Sequence, residues 1–320
     1  MPRYARIKPD DMGMYYHLTN RISGIPGEFP FGDAEKEELI NLVKVLSRFF
    51  TIEVLSCQAM GNHYHIVCYA PADLLSPSQA CERYNRFYQG RNNPPLAPDD
   101  PYCEVVARRM RDISWFMRQL QQQFTSWYNR TRIPHRRGSL WAQRFKSVIL
   151  ERDTALWNCL CYVEMNAVRA GLVNDPGDYR FGTWGEWCAT GHHPFGENLR
   201  RHLVAFEGTE ARACSLEEIR KRFRVEFARI QASESGATDE EVAAAMESAA
   251  RTPAFTLRLN RRVRYWTDGL IIGGKTFVRE VAGRLWDREC VHRHRLQPAH
   301  GPDMDKPLYA YRRLRTPASS

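Results

Sequence analysis

A short segment of alternating side chains, residues 61–67 (Gly-Asn-His-Tyr-His-Ile-Val), most constrains how this chain folds. Gly61 and Asn62 favour a turn, and the aromatic and β-branched residues that follow favour a strand. Because successive side chains of a strand point to opposite faces, His63 and His65 share one face. Imidazole is a common metal ligand, so the pair is a candidate metal site. The alternative is two surface histidines on an edge strand.

The segments around this strand predict an α+β fold. Residues 15–21 and 51–58 are typical of strands, and residues 34–49 form an amphipathic helical pattern. Residues 64–69 are expected to pair with 51–58 through a tight turn. This β-α-β-β order predicts a ferredoxin-like antiparallel sheet with helices on one side. Residues 71–107 contain six prolines and predict an inserted loop with a short helix.

A second segment, residues 154–170, is typical of a helix. Asp153 is placed to cap its first turn, and Gly171 stands where a terminating glycine is expected. Tyr162 and Asn166 are four residues apart, which places them on one helical face. A phenol can act as a nucleophile and an amide oxygen can bind a metal. A buried tyrosine and a surface asparagine fit the same spacing.

Positive charge is concentrated in two blocks. Residues 108–150 hold ten Lys or Arg and one acidic residue, and residues 251–320 hold fifteen and six. Aromatic side chains are interleaved with the cations of the first block, a combination that single-strand nucleic-acid binders use. The blocks therefore indicate a polyanionic partner, with solvated helix faces as the alternative. The basic helix of the first block is expected from Arg109 to Asn129.

Three ordered motifs together resemble a known family. Residues 63–65 resemble the His-hydrophobe-His (HUH) motif of single-strand DNA endonucleases. Residues 162–171 (YVEMNAVRAG) resemble the Tyr-Ile-x-x-Asn-Pro-Val-Arg-Ala-Gly helix of REP-associated tyrosine transposases. Residues 138–147 (GSLWAQRFKS) resemble that family's Gly-x-Leu-Trp-x-x-Arg-Phe-Lys-Ser segment. The resemblance covers about residues 11–186 and departs from the pattern at Ala167, where the family prefers proline.

The resemblance implies an HUH endonuclease fold and a metal-dependent single-strand DNA endonuclease and strand transferase. Its substrate would be REP-type hairpin DNA, cut through a 5′-phosphotyrosine intermediate. His63, His65 and Asn166 would hold one Mg²⁺ or Mn²⁺, and Tyr162 would attack the phosphate, with Tyr128 as the reserve candidate. Seven basic residues are candidate DNA contacts: Arg109, Arg118, Arg130, Arg136, Arg137, Arg144 and Lys146. The last two fit scaffold roles equally well. The alternative function is a non-catalytic DNA-binding protein derived from such a transposase.

The resemblance also suggests how the chain divides. A transposase domain (1–186) is expected to precede a basic, mainly helical extension (187–320) that adds DNA affinity or packs on the core. No apolar run is long enough for a membrane span or a signal peptide. Nine cysteines without a Cys-x-x-Cys pair favour a reducing cytoplasm, where a DNA-binding protein would associate with the nucleoid. A monomer or homodimer is expected.

Residues 269–276 (GLIIGGKT) satisfy the Gly-x-x-x-x-Gly-Lys-Thr phosphate-loop pattern. Such a loop must follow a buried strand in a βαβ unit. Here it follows residues 264–268 (Arg-Tyr-Trp-Thr-Asp), and little chain remains after it. No nucleotide cofactor is therefore expected. A nucleotide-dependent factor that uses Lys275 is the third functional alternative, which a nucleotide-binding assay would identify.

Overall fold

The computed structural model describes residues 8–9, 11–24, 29–207, 210–247, 266, 270–284, 286, 291, 296–298 and 308–311. The chain packs into two compact units that divide between Phe145 and Lys146. Each unit contains helices and strands, which confirms the predicted α+β class. The domain boundary expected at residue 186 stays a prediction. Among the described helices, none is long and apolar enough to cross a membrane.

The first unit is built on an antiparallel sheet. Its opening elements are β1 (Met14–Arg21), α1 (Asp33–Phe49), β2 (Glu53–Ala59) and β3 (His63–Ala70). The strand order is β2-β3-β1, so β3 is central among these three. In the two registers, His65 lies opposite Thr19 on one side and opposite Gln58 on the other. These elements confirm the predicted β-α-β-β order.

The described residues of the first unit form three further helices: α2 (Pro77–Tyr88), α3 (Tyr102–Arg111) and α4 (Ile113–Thr131). The segment predicted as a loop with one short helix therefore contains α2 and most of α3. Ser76 begins α2 with a capping box, in which its Oγ accepts from the Gln79 backbone N–H at 3.3 Å. Pro77 occupies a first-turn position, where its missing N–H costs nothing. At least one of the prolines that suggested a loop, Pro77, thus lies at the start of a helix.

The basic helix predicted from Arg109 to Asn129 is interrupted at Asp112. That residue has an extended backbone, and its carboxylate accepts from the Ser114 N–H at 2.6 Å. An N-cap of this kind ends one helix and starts the next. The predicted helix is therefore the end of α3 followed by α4.

The core of the first unit lies between one face of the sheet and helices α1 and α4. Tyr64 and Ile66 of β3 are buried in it, and Gln121 of α4 donates a hydrogen bond to Tyr64 Oη at 2.9 Å. The Trp141 ring meets the Tyr64 ring edge-on, with centroids 5.4 Å apart. Tyr64 therefore anchors β3 beneath the helices, and its neighbours His63 and His65 point to the other face.

Besides a 3-10 helix (Pro176–Asp178), the second unit has thirteen described helices and strands. They are β4 (Lys146–Leu150), α5 (Thr154–Glu164), α6 (Asn166–Arg169), α7 (Thr183–Thr190), α8 (Gly196–His202), β5 (Val204–Glu207), β6 (Glu210–Ala213), α9 (Leu216–Glu234), α10 (Asp239–Glu247), β7 (Ile271–Gly273), α11 (Lys275–Gly283), β8 (Gln297–Pro298) and β9 (Tyr309–Tyr311). Strands β4 and β7 are parallel, β9 is antiparallel to β7 and β8, and β5 pairs with β6. The region beyond residue 186 thus contains strands as well as the predicted helices.

Part of the basic tail belongs to the core of the second unit. The buried apolar side chains of its described residues are Trp266, Ile271, Ile272, Val278, Val281, Ala282, Val291, Leu308, Ala310 and Tyr311. For this part, packing is favoured over a detached DNA clamp. Most of the Lys and Arg residues of 251–320 lie outside the described residues, so their role in DNA affinity stays a prediction.

The Gly-Lys-Thr pattern lies at a junction of strand and helix. Residues 271–273 form β7, and Gly274 precedes the first turn of α11. Sequence reasoning missed this buried strand, which occupies positions that would wrap a phosphate in a nucleotide-binding loop. The Gly274 N–H donates to a carboxylate oxygen of Glu151. A side chain of the protein therefore takes the position at the helix start that a phosphate would need.

Candidate functional site

One face of the first unit's sheet is polar although it is mostly buried. Residues opposite each other in an antiparallel pair share a face, so the two registers identify its members. Toward the turn between β2 and β3, its polar members are His17, Thr19 and Arg21 of β1, Ser56 and Gln58 of β2, and His63 and His65 of β3, with the apolar Val67 beside them. All except Arg21 and His63 are buried. Burying polar groups costs free energy unless they are hydrogen-bonded, so this face is the candidate functional site of the unit.

Three histidines lie together on that face. His17 Nε2 and His65 Nδ1 are 2.8 Å apart, and the two rings stack with centroids 5.0 Å apart and planes 7° apart. The His63 ring meets the His65 ring edge-on, with centroids also 5.0 Å apart. The structure thus brings the predicted pair together and adds His17, which the sequence analysis did not select. We call these three residues the histidine cluster.

The electrostatics of the histidine cluster favour neutral imidazoles. Burial, and to a smaller extent the nearby Arg21 guanidinium, lowers the pKa of His63 to about 4. Burial holds the pKa of His65 well below its usual range, and the neighbouring His63 and His17 add to the effect. A neutral imidazole has one protonated nitrogen and one lone pair, which is the form that binds a metal.

Asn62 fixes which nitrogen of His63 carries the proton. Its Oδ1 lies 2.7 Å from His63 Nδ1, and an amide oxygen can only accept. Nδ1 is therefore the donor, and Nε2 carries the lone pair. Metal-binding histidines typically hold their second nitrogen in this way. His63 and His65 are thus suitable in chemical type and protonation for two ligands of a divalent cation.

In the part of the chain that the structure describes, no third ligand of an ordinary type joins them. Among the described residues, no group of three or more His, Cys, Asp or Glu side chains is placed to hold a metal ion. His17 is hydrogen-bonded to His65, so it supports that ring and is not presented as a third ligand. The oxygen ligand predicted at Asn166 lies in the second unit.

The second unit carries Tyr162 and Asn166. The predicted helix is split at Met165, so that Tyr162 ends up near the end of α5 and Asn166 begins α6. Tyr162 is only 1% exposed, and its ring lies 5.8 Å from that of Trp266 with planes 27° apart. Burial raises the pKa of the Tyr162 phenol above its usual range, while Arg169 and Asn166 act in the opposite direction.

Arg169 and Asn166 complete the immediate surroundings of Tyr162. Arg169 Nη1 donates to the Tyr162 backbone oxygen at 3.2 Å, and its Nε donates to Glu234 Oε1 at 3.1 Å. Asn166 lowers the pKa of the phenol, although its Nδ2 is buried and completes no hydrogen bond of normal geometry. Tyr162 is therefore held within a packed, partly charged environment in which one amide is left unsatisfied.

The ends of this helical segment agree only in part with the prediction. Gly171 has a φ of 66° and ends α6, with its N–H bonded to Val168 O at 2.9 Å. The Leu172 N–H bonds to Ala167 O at 3.0 Å, which completes a Schellman motif and confirms the predicted glycine stop. The predicted capping role of Asp153 is wrong: its φ is 69° and its side chain makes no cap hydrogen bond.

All seven predicted DNA contacts lie at least partly at the surface. Five of them are exposed: Arg118, Arg130, Arg137, Arg144 and Lys146. Arg136 is half-buried and donates to Asn129 Oδ1 at 2.9 Å and Ser139 O at 2.8 Å, which indicates a scaffold role. Arg109 is also half-buried and belongs to an aromatic group.

That group, the arginine–aromatic cluster, consists of Tyr102, Arg109, Trp115 and Arg118. The Arg109 guanidinium lies 4.3 Å from the Trp115 ring centre and 5.4 Å from that of Tyr102. The Arg118 guanidinium lies 4.8 Å from the Trp115 ring. Tyr102 is 40% exposed and Arg118 is exposed, so aromatic and cationic surface is available at one place. Single-stranded nucleic acids bind to such combinations by stacking and charge.

The Gly-Ser-Leu-Trp motif has a scaffold role in the first unit. Trp141 Nε1 donates to Thr125 Oγ1 at 3.0 Å. The Ser23 N–H bonds to Leu140 O at 2.8 Å, and the Ala142 N–H bonds to Arg21 O at 3.0 Å. The motif therefore runs beside the end of β1 and holds it against α4, near the strand positions that carry the histidine cluster.

Comparison with solved structures finds a likeness to a REP-associated tyrosine transposase bound to a REP hairpin. The match has 14% sequence identity and a TM-score of 0.40, and it covers 67% of this chain and 99% of that chain. No family model matches the sequence, and no curated protein matches it. A likeness this distant does not assign the chain to a family, so its function is inferred from its own residues.

Proposed function

We propose that this protein is a metal-dependent single-strand DNA endonuclease and strand transferase that acts on REP-type hairpin DNA through a tyrosine–phosphate intermediate. The observation that carries the proposal is the histidine cluster. Buried polar side chains across a sheet face contribute less to stability than apolar packing would. Neutral imidazoles with a defined tautomer are, in contrast, suited to hold a divalent cation.

His63 and His65 would hold Mg²⁺ or Mn²⁺, with Asn166 as a proposed oxygen ligand. When bound, such a cation supplies positive charge that stabilises the charge developing on a reacting phosphate. Tyr162 is the proposed nucleophile. Its phenol oxygen bonds to phosphorus, the bond from phosphorus to the 3′ oxygen breaks, and that oxygen receives the phenol proton. The products are a 5′-phosphotyrosine and a free 3′-hydroxyl, and reversal onto another 3′-hydroxyl joins strands.

The burial of Tyr162 adds a requirement to this proposal. At 1% exposure, the hydroxyl must be uncovered before a phosphate can reach it. Stacking on Trp266 means that the indole or the phenol has to move when DNA binds. The same burial is the observation that favours the alternative function, a DNA-binding protein derived from such a transposase that no longer cleaves.

The proposed partner is single-stranded or hairpin DNA. The arginine–aromatic cluster supports it because stacking on exposed rings requires unpaired bases. The exposed cations between Arg118 and Lys146 would add contacts to phosphates. The protein is expected to act in the cytoplasm, in association with the nucleoid, as a monomer or homodimer.

The test is formation of a covalent adduct. The full-length protein is incubated with labelled hairpin and single-stranded oligonucleotides and Mn²⁺ or Mg²⁺, and denaturing gels are examined for protein-linked DNA. We expect an adduct that disappears with chelator, in His63→Ala and in Tyr162→Phe. Tyr128→Phe and His135→Ala, which changes an exposed histidine of the same unit, serve as controls and should retain it.

Three results would change the assignment. An adduct that persists in Tyr162→Phe but not in Tyr128→Phe would move the nucleophile to Tyr128. An adduct that forms fully in chelator would contradict the metal requirement. Tight binding without any adduct would favour the non-catalytic alternative.

A further inference from the structure

His17 is placed to control the chemistry of His65. The two side chains are diagonal neighbours on one sheet face, since His17 lies opposite Val67, two residues from His65. Both are buried, with exposures of 0% and 2%. The distance of 2.8 Å between His17 Nε2 and His65 Nδ1 and the angle of 7° between the two ring planes define the position and the tilt of the His65 ring.

A hydrogen bond between two neutral imidazoles has two forms, and they differ in what His65 can do. In the first form, His65 Nδ1 donates to His17 Nε2, which leaves the lone pair of His65 on Nε2. In the second, His17 Nε2 donates to His65 Nδ1, and the proton of His65 is then on Nε2. Only the first form leaves His65 Nε2 able to bind a metal.

We propose that His17 is a positioning residue: it accepts the His65 Nδ1 proton and so fixes Nε2 of His65 as the metal-binding nitrogen. The inference rests on the metal-dependent function proposed above. It is supported by His63, whose Nδ1 donates to Asn62 Oδ1 at 2.7 Å and whose lone pair is therefore also on Nε2. With His17 as an acceptor, both candidate ligands have the same tautomer and each has its own neighbour that enforces it.

Two substitutions separate the hydrogen bond from packing. His17→Phe keeps an aromatic ring of similar shape in the stack but has no acceptor nitrogen. His17→Gln loses the ring but places an amide oxygen near the position of Nε2. If the role of His17 is purely structural, His17→Phe should keep the wild-type His65 tautomer and Mn²⁺ affinity more closely than His17→Gln does. The positioning role predicts the reverse.

The first measurement is the tautomer of His65 in the metal-free, full-length protein. Only ten histidines are present, so ¹⁵N-histidine labelling and long-range proton–nitrogen spectra give a tractable set of signals. We expect His65 to be protonated on Nδ1 in the wild type and in His17→Gln. In His17→Phe we expect the proton to move, in part or fully, to Nε2.

The second measurement is Mn²⁺ affinity, followed by electron paramagnetic resonance without DNA. Loss of a supporting residue of a metal ligand typically weakens binding about 10–100-fold, and this is expected for His17→Phe. His17→Gln should restore most of the affinity. His135→Ala is the matched control and should leave it unchanged.

The outcomes distinguish this inference from the proposed function. If wild-type His65 carries its proton on Nε2, or if His17→Phe leaves both tautomer and Mn²⁺ affinity unchanged, the inference is overturned whether or not the protein cuts DNA. The wild-type spectrum decides the question even if His17→Phe does not fold. If the tautomers behave as expected while the wild type binds no Mn²⁺, the metal-dependent function fails and the orientation of His65 by His17 stands.

Discussion

The ring of Tyr162 lies against the indole of Trp266, with centroids 5.8 Å apart. The two residues come from parts of the chain that are far apart in sequence, and both are almost fully buried. Access to the proposed nucleophile therefore depends on a residue of the carboxyl-terminal region. Chemical reactivity of the phenol is a direct measure of that access.

Trp266→Ala should expose Tyr162. Removal of a buried tryptophan costs about 3–5 kcal/mol of stability, and the space it leaves admits solvent and small reagents. We expect faster nitration of Tyr162 by tetranitromethane, followed by mass spectrometry of the peptide. Trp187→Ala, which removes a different buried tryptophan of the same unit, should leave the rate unchanged. Nitration of Tyr162 in the wild type as fast as that of the exposed Tyr102 would contradict the burial.

Tyr64→Phe should weaken the fold without affecting metal binding. The substitution removes the acceptor of Gln121 in the core, at a cost of about 1–2 kcal/mol. His63 and His65 point to the opposite face, so Mn²⁺ affinity should be retained. Urea unfolding and Mn²⁺ titration of the same protein give both values. A large loss of Mn²⁺ affinity at full stability would mean that the two faces are not separate.

His193 should make the protein sensitive to acid. Its Nδ1 accepts from the Phe195 N–H at 3.1 Å, and burial lowers its pKa to about 3, with His192 adding to the effect. The unfolded chain takes up this proton below its ordinary pKa and the folded chain does not, so stability falls as pH drops from about 6.5 towards 3. At pH 5 the expected loss is about 2 kcal/mol.

His193→Asn tests this assignment because an amide oxygen can replace the Nδ1 acceptor without titrating. Stability of the variant, measured by urea unfolding between pH 4 and 7 as approximate limits, should depend less on pH than that of the wild type. His135→Ala should behave like the wild type, because His135 is exposed. Equal pH dependence in His193→Asn and wild type would place the acid sensitivity elsewhere.

The arginine–aromatic cluster should contribute to single-strand binding in two separable ways. Trp115→Ala removes a stacking ring and should cost about 1–3 kcal/mol of affinity. Arg118→Ala removes a phosphate contact and should reduce the slope of log affinity against log salt by about 0.7. Fluorescence anisotropy at several salt concentrations measures both. Lys221→Ala, an exposed cation of the other unit, is the control; an equal effect there would indicate nonspecific charge.

Truncation after Gly236 should destabilise the protein. It removes β7, which pairs in parallel with β4 through Ile149 and Leu150, and it removes Trp266. Apolar strand edges of this kind promote aggregation. We expect insoluble or easily proteolysed protein from this truncation. A soluble, cooperatively folded product that still forms the covalent adduct would show instead that the tail is an accessory to a complete core.

The parts of the fold that the sequence predicted are those set by local periodicity. Alternation placed His63 and His65 on one face, and the amphipathic pattern of α1 gave nearly its full length. His17 was missed because its partner is 48 residues away, and a single sequence does not give the register between strands. The only signal was a histidine at an alternating position of a predicted strand.

The errors have equally physical causes. Helical spacing indicates which residues share a face but not what covers that face, so the burial of Tyr162 under Trp266 was not predictable. Proline was counted as a helix breaker, although at the start of α2 it favours the helix. The three residues of β7 are too few to show a period, and their pairing with β4 is a long-range contact.

Tyr64 separates the two histidines of β3 and is locked into the core by Gln121 and Trp141. Because side chains alternate, sliding this strand by one residue would bury both imidazoles under the helices and turn the phenol outward. Packing of Tyr64 in the core therefore fixes the register that keeps the two candidate metal ligands on the far side of the sheet. Insertion or deletion of one residue in the turn before β3 should disrupt the candidate metal site as much as replacement of His63 or His65. Sequence changes in that turn should be tolerated only when they preserve the register of β3 with its neighbouring strands.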